Sequence, residues 1–358
     1  MRKLIMLLCI AASVFTLRGQ ESIKLEDIKI INLGDGKLYA TLSKDKDTPI
    51  DGKVRMITGY TTEYTDAEFT KGYATGEWKY FKNNVPVDIR HYADGLLNGE
   101  VIEYYDDGKA VKTKGAYKAG QKDGLWESFK RDGVYNSSEE FANGKVVRRI
   151  TYYTDNSVST ETTFNAEGKK HGVEKEYAFD GGYLVREQNF VNGKLLGKQK
   201  RRISSNQVGY YYEYAIYNEA GKKDGEFVEL YEDDKTVKSK GLYVNDKKDG
   251  KWTYGFPNSK IPGKEEVYEN GVLKSRKEYV TGFGNKDNYF ERRNYNAREQ
   301  LDGEYTEIWE KGGKTKTKGQ YVQGRKQGTW TQYDVDGKAK EEAVYENGNE
   351  VSSKKFDK

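Results

Sequence analysis

The side chains whose types and spacing could do chemistry in this chain are mainly aromatic. Trp78, Trp126, Trp252, Trp309 and Trp330, with Tyr80, Tyr104, Tyr254 and Tyr305, recur in or near one position of short alternating segments, as rungs of a ladder would. Rings in such a row pack on one another across neighbouring strands. Where a face stays open they stack on a sugar ring or an extended peptide, so these nine are the candidate ligand-binding residues, with packing the weightier role. Ionisable groups offer less. The two histidines, His91 and His171, stand at different positions of their repeats, and no metal-ligand pair, nucleophile elbow, phosphate loop or HExxH spacing accompanies them. Asp and Glu fall mostly at turns or between the aromatics of a strand. The expectation is a chain with no catalytic residue, metal or cofactor, a non-enzyme; convergent carboxylates in a deep pocket would reopen that question.

The elements that carry these rings come from a repeat. An aromatic followed three or four residues later by a turn residue recurs about every 25 residues, from Phe69 and Gly72 through Tyr117 and Gly120, Phe190 and Gly193, Tyr268 and Gly271, to Tyr345 and Gly348. A second Gly then opens an aromatic-rich run, as in Gly76-Glu-Trp78, Gly124-Leu-Trp126, Gly250-Lys-Trp252 and Gly328-Thr-Trp330. Large rings alternating with Glu, Lys and Thr over about six residues have the period of a half-buried strand. Asp107-Gly108, Asp132-Gly133 and Asp336-Gly337 then supply turns that accept positive φ. Each repeat reads as a β-hairpin. The fold class expected is all-β, an elongated single-sheet array of about twelve antiparallel hairpins of roughly 25 residues each. Val111 to Trp126, Val237 to Trp252 and Thr315 to Trp330 are near-copies, a mark of growth by duplication.

The Gly-x-Trp-x-x-Tyr run, the Asp-Gly turn, the polar strand and the Tyr-x-Asn-Gly close resemble the bacterial variant of the membrane occupation and recognition nexus (MORN) repeat over roughly residues 52 to 350. The resemblance implies hairpin arrays used for protein association and brings no catalytic motif. Some bacterial members carry an antitoxin-component label. The opening Gly is missing or displaced near Val146 to Thr163 and Val272 to Asn294, which leaves those hairpins open to irregularity.

Composition and charge bound the remaining readings. Arg2 and Lys3 precede an apolar run from Leu4 to Leu17, and Arg18-Gly19-Gln20 turns polar, so residues 1–20 read as a signal peptide cut near Gly19 or Gln20. Cys9 would leave with it, and the mature chain would hold neither disulfide nor thiolate chemistry. Loss of the leader takes three of 61 basic residues and none of 57 acidic ones, leaving 58 against 57. Near neutrality argues against nucleic acid and against strong membrane binding. Basic pairs such as Arg148-Arg149, Lys200-Arg201-Arg202 and Arg292-Arg293 sit at different repeat positions and form no stripe. Residues 21–52 read as a cap, 53–350 as the hairpin array and 351–358 as a charged tail. The functional expectation is an exported, periplasmic or secreted scaffold for an unidentified protein partner in the cell envelope. A glycan or cell-wall binding module is the alternative, and an antitoxin component ranks below both because it conflicts with export.

Overall fold

A computed structural model describes residues 15–16, 21–34, 36–44, 48–59, 62–207, 209–256, 262–281 and 287–356. The leader and its cleavage site lie outside the described residues, apart from Phe15–Thr16, whose backbone pairs in parallel with Ile50 and Asp51. The described chain is all-β save a single 3-10 turn at Leu25–Asp27. It divides into two bodies, Met1–Tyr183 and Leu184–Lys358. From Ile50 onward consecutive strands within each body pair antiparallel in chain order, as a meander of hairpins should.

Two kinds of turn alternate. The Asn-Gly type is tight, with both central residues at positive φ, as at Asn270 (51°) and Gly271 (87°). That is the geometry whose twist matches an antiparallel pair. The Asp-Gly type is longer, and its Asp accepts backbone amides two residues on, as Asp107 Oδ1 does from Lys109 at 3.0 Å.

Neighbouring repeats are tied at both ends. At the tight-turn end a side chain of one repeat accepts the positive-φ amide of the next: Asn98 from Ala119 (3.1 Å), Asp249 from Asn270 (3.0 Å), Gln327 from Asn347 (2.9 Å). At the other end a tyrosine hydroxyl donates to a carbonyl 24 residues on: Tyr105 to Phe129 (2.9 Å), Tyr153 to Tyr177 (2.9 Å), Tyr231 to Gly255 (3.2 Å). Such contacts are the nearest-neighbour terms that stabilise a repeat array.

The indole positions set the register. Between the pairs Lys240↔Thr253 and Leu242↔Asp249, one strand holds Gly241 alone while its partner holds Gly250, Lys251 and Trp252. Trp126 and Trp330 sit in the same bulge opposite Gly115 and Gly319, and Trp78 opposite Ala67. Gly250, at φ 64°, lets the longer side bend outward. The indole then lies flat on the partner strand, where a Cβ on Gly241 would fall inside the Trp252 ring. Its N–H donates to the carbonyl just after the bulged residue: Trp78 to Glu68 (3.1 Å), Trp126 to Ala116 (3.0 Å), Trp252 to Leu242 (3.1 Å), Trp330 to Gln320 (3.3 Å). The bond lost from the ladder is thereby replaced. Gln199, paired with Gln188 in its repeat, makes a comparable bond, donating to the carbonyl of the skipped residue Asn189 at 3.3 Å. Where the sequence lacks the opening Gly, the strands still form. Lys145–Tyr152 and Val272–Val280 pair with the strand before each through a bulge of a single extra residue, having Arg149 and Arg276 in the indole's place.

Residues 21–52 hold a parallel edge strand, Glu21–Lys24 against Val54 to Ile57, and the hairpin Ile28–Asn32 with Leu38–Leu42. The latter strand crosses the turn ends of the first two hairpins, with Ala40 N donating to Gly72 O and Leu38 N to Gly95 O, both at 2.8 Å. Ile28 and Ala40 join Ile50, Val54, Phe69 and Trp78 in one core cluster. At the other end, where residues 351–358 read as a charged tail, Asn349–Lys355 is a strand paired with Ala339–Glu346, and all of its residues are exposed.

The close approach of Gly241 to the Trp252 ring yields a direct test. Gly241→Ala is expected to cost about 3 kcal/mol, the upper range for overpacking. Denaturation in urea measures it, and a midpoint equal to wild type would show that the indole does not rest on that glycine.

Candidate functional site

The four bulge indoles Trp78, Trp126, Trp252 and Trp330 are buried, as is Tyr305, and Trp252 is only 1% exposed. A lysine four residues earlier covers the ring in three of these repeats: Lys122 lies 4.0 Å from the Trp126 centroid, Lys248 4.4 Å from Trp252 and Lys326 4.3 Å from Trp330. Lys223 takes the same place 4.5 Å from Phe227. Burial pushes the Lys248 ammonium below its ordinary pKa, opposed by Glu266. Trp126, Trp252 and Trp330 are thus each enclosed by a glycine, a lysine and neighbouring rings, whereas Trp78 has Ala67 opposite it and packs on rings alone. Tyr80, Tyr104, Tyr254 and Trp309 are half-buried.

The rings form separate clusters. In the N-terminal body Trp78 packs with Phe69 and Tyr92, and Trp126 with Tyr117 and Phe141. In the C-terminal body Trp252 packs with Phe227, Tyr243 and Tyr254, and Trp330 with Tyr305, Tyr321 and Tyr345.

Between the latter two clusters lies a stretch of buried charge. Glu266, 2% exposed, takes Arg276 at 2.8 Å, Lys264 at 3.1 Å and the Tyr268 hydroxyl at 2.8 Å. Burial alone would raise its pKa, but Tyr268, Tyr254 and Lys264 outweigh it and hold the carboxyl at about 2 against an ordinary 4.5. Burial first, and then Glu266, pushes the Tyr268 phenol up to about 12. The Tyr305 hydroxyl lies 2.7 Å from Glu291 and 3.1 Å from Glu307, so its single proton serves two carboxylates. Arg293 pairs with Glu291, and Lys316 lies 3.1 Å from Glu307. Carboxylates committed in this way are the stabilised form of buried charge.

A trough of about 350 Å³ opens beside this stretch, lined by Tyr321, Trp330, Tyr345, Glu307, Glu341 and Gln332 among others. It combines ring edges with carboxylate and amide groups, the inventory of a polar ligand site. The histidines belong to different hairpins; His91 Nδ1 lies 2.8 Å from Glu100 O. Among the described residues no group of three or more His, Cys, Asp or Glu is placed to hold a metal.

Sequence reasoning singled out the rings but missed their partners. The lysines were legible as Lys-Asp-Gly-x-Trp at 122–126 and 248–252, Lys-Gln-Gly-x-Trp at 326–330 and Lys-Asp-Gly-x-Phe at 223–227. The tyrosines that tie repeats had a signal too, since Tyr105 and Tyr231 stand four residues after the indole-equivalent Val101 and Phe227. Trp309 occupies that tyrosine position after Tyr305. Its backbone amide donates to Lys314 O as Tyr231 N does to Thr236 O, but the indole N–H is buried without a partner.

No protein-family pattern matches the chain, and no curated protein matches it significantly. Among solved structures it is similar to the crystal structure of TcdB2-TccC3, at 12% identity over 82% of this chain and 19% of that chain. The chain thus spans about a fifth of that protein's length, and the TM-score of 0.17 lends the likeness no weight for fold or function.

Two outcomes follow from this geometry. Trp309→Tyr places a hydroxyl where it can donate to the carbonyl of Tyr333, 24 residues on, and should stabilise by about 1 kcal/mol over Trp309→Phe, which only removes the orphan donor. Equal urea midpoints for the two variants would refute the equivalence. Glu266 binds its proton less tightly folded than unfolded, so its contribution is complete above pH 4.5 and is lost as pH falls toward about 2. Stability of Glu266→Gln, followed by denaturation from pH 5 to 2, should fall less steeply than that of wild type; parallel curves would contradict the assignment.

Proposed function

We propose that the chain is an exported, non-enzymatic repeat scaffold that holds a protein partner in the cell envelope, on the face of its hairpins opposite the indoles. The observation that carries the reading is the closure of the indole face: lysines and neighbouring rings occupy the aromatic surfaces, and the outward alternation leaves aliphatic side chains free on the other side. In the C-terminal body Leu242, Val267 and Val322 are each 41% exposed there. Ion pairs flank them, Lys240 with Glu226 at 2.9 Å and Lys251 with Glu265 at 2.6 Å. Aliphatic patches between charges have the composition of an association surface. The leader supports export, and the resemblance to MORN repeats supports protein association.

A second reading, a glycan or cell-wall binding module, draws on the trough at Trp330, where Tyr321, Tyr345, Gln332 and Glu341 could meet a sugar edge-on. An antitoxin role ranks last because it conflicts with the leader.

Affinity capture from envelope extracts with the leaderless protein separates the readings. A Leu242→Glu/Val267→Glu/Val322→Glu variant should lose the captured protein by at least about tenfold while its melting is unchanged. Retention of that partner would exclude this face. Saturable tryptophan fluorescence change with soluble wall fragments, lost in Gln332→Ala/Glu341→Ala, would favour the glycan module instead.

A further inference from the structure

The face opposite the indoles carries one charge arrangement that the sheet does not neutralise. Lys277 and Arg292 are direct partners across the strands Val272–Val280 and Tyr289–Asn294. Like charges so placed destabilise an antiparallel pair. One residue along, the same strands set Arg276 opposite Arg293, and there Glu266 receives the first and Glu291 the second. Among the described residues the outer pair has no such acid. Glu265 faces Lys277 from the preceding strand but is held by Lys251 at 2.6 Å. Glu304 has Lys318 3.8 Å away. The Lys277 ammonium lies 4.2 Å from the Phe290 ring, and Arg292 is exposed with Thr306 as its partner on the far side.

A groove of about 470 Å³ surrounds the pair. Ser275 and Thr306 add hydroxyl donors to its lining, Asn294 holds its amide on Glu304 O at 2.8 Å, and Val267 and Ile308 add apolar surface. A planar guanidinium beside an ammonium suits a carboxylate, which the fork binds through two parallel bonds. The aliphatic side chains suit the methylene stem that carries it.

We infer that this groove receives an acidic segment of the protein partner, an extended stretch rich in Glu or Asp whose carboxylates bridge Lys277 and Arg292. The inference rests on the protein-scaffold reading and adds the chemistry of the partner. Binding would supply the counter-charge that Glu266 and Glu291 supply on the inner face, so the outer pair is a recognition element and contributes nothing to the fold.

Fluorescence anisotropy of a labelled octaglutamate peptide on the leaderless protein tests this, with a Gly-Ser peptide of equal length as blank. Lys277→Ser/Arg292→Ser should weaken binding at least about tenfold, the loss of one or two charge-assisted bonds. Lys118→Ser/Lys311→Ser removes two exposed charges elsewhere and should leave it within about twofold. The melting temperature of the first variant should equal or exceed that of wild type. Equal weakening in both variants, no octaglutamate binding, or binding of an anionic polysaccharide in its place would overturn the inference, as would a fall in melting temperature. If octaglutamate fails while the Leu242, Val267 and Val322 substitutions still abolish capture, the scaffold reading stands and only the acidic-segment assignment falls.

Discussion

An indole laid over the glycine of a bulged neighbour is the contact on which the rest depends. A single sheet has no second layer, so a side chain finds burial only in what its own face provides. The bulge that admits Trp252 beside Gly241 breaks one rung of the ladder, and the indole N–H on Leu242 O restores it. Apolar burial and hydrogen-bond satisfaction are achieved by one side chain, which accounts for the recurrence of Gly-x-Trp. Gln199 shows that the hydrogen bond alone suffices where the ring is absent.

Around that contact each repeat is completed by its neighbours. The Asp, Asn or Gln before the opening Gly holds the next tight turn, and a tyrosine reaches one period ahead at the other end. Where Arg276 replaces the indole, the face becomes polar, and the replacement is tolerated because Glu266, Lys264 and Tyr268 complete a network around it. The aromatic clusters and the charge stretch are therefore two solutions to the same demand, burial on an open face.

The proposed function turns on which face is left free. Lysines folded over the indoles withdraw those rings from solvent, so the face that looked most like a binding surface by residue type is the packed one. The opposite face keeps its aliphatic side chains exposed between ion pairs and holds the unneutralised Lys277 and Arg292. The proposed scaffold would present one face and pack the other, and so would need no cleft.

The amino-acid sequence by itself determined the repeat length, the strands and the turns, because these depend on neighbours within about ten residues: alternation of rings with charges, and Asn-Gly or Asp-Gly where φ must be positive. It also marked Trp252 and Trp330 as members of one set. Only the tertiary structure decided which side of each ring was covered and by what, because that depends on register, and register here is set by bulges that composition does not reveal. The same holds for Lys277 and Arg292, fifteen positions apart and set opposite each other by the pairing of their strands. It holds for the cap, whose strand Leu38–Leu42 runs across the turn ends of two hairpins through bonds to Gly72 and Gly95, a crossing that no local pattern encodes.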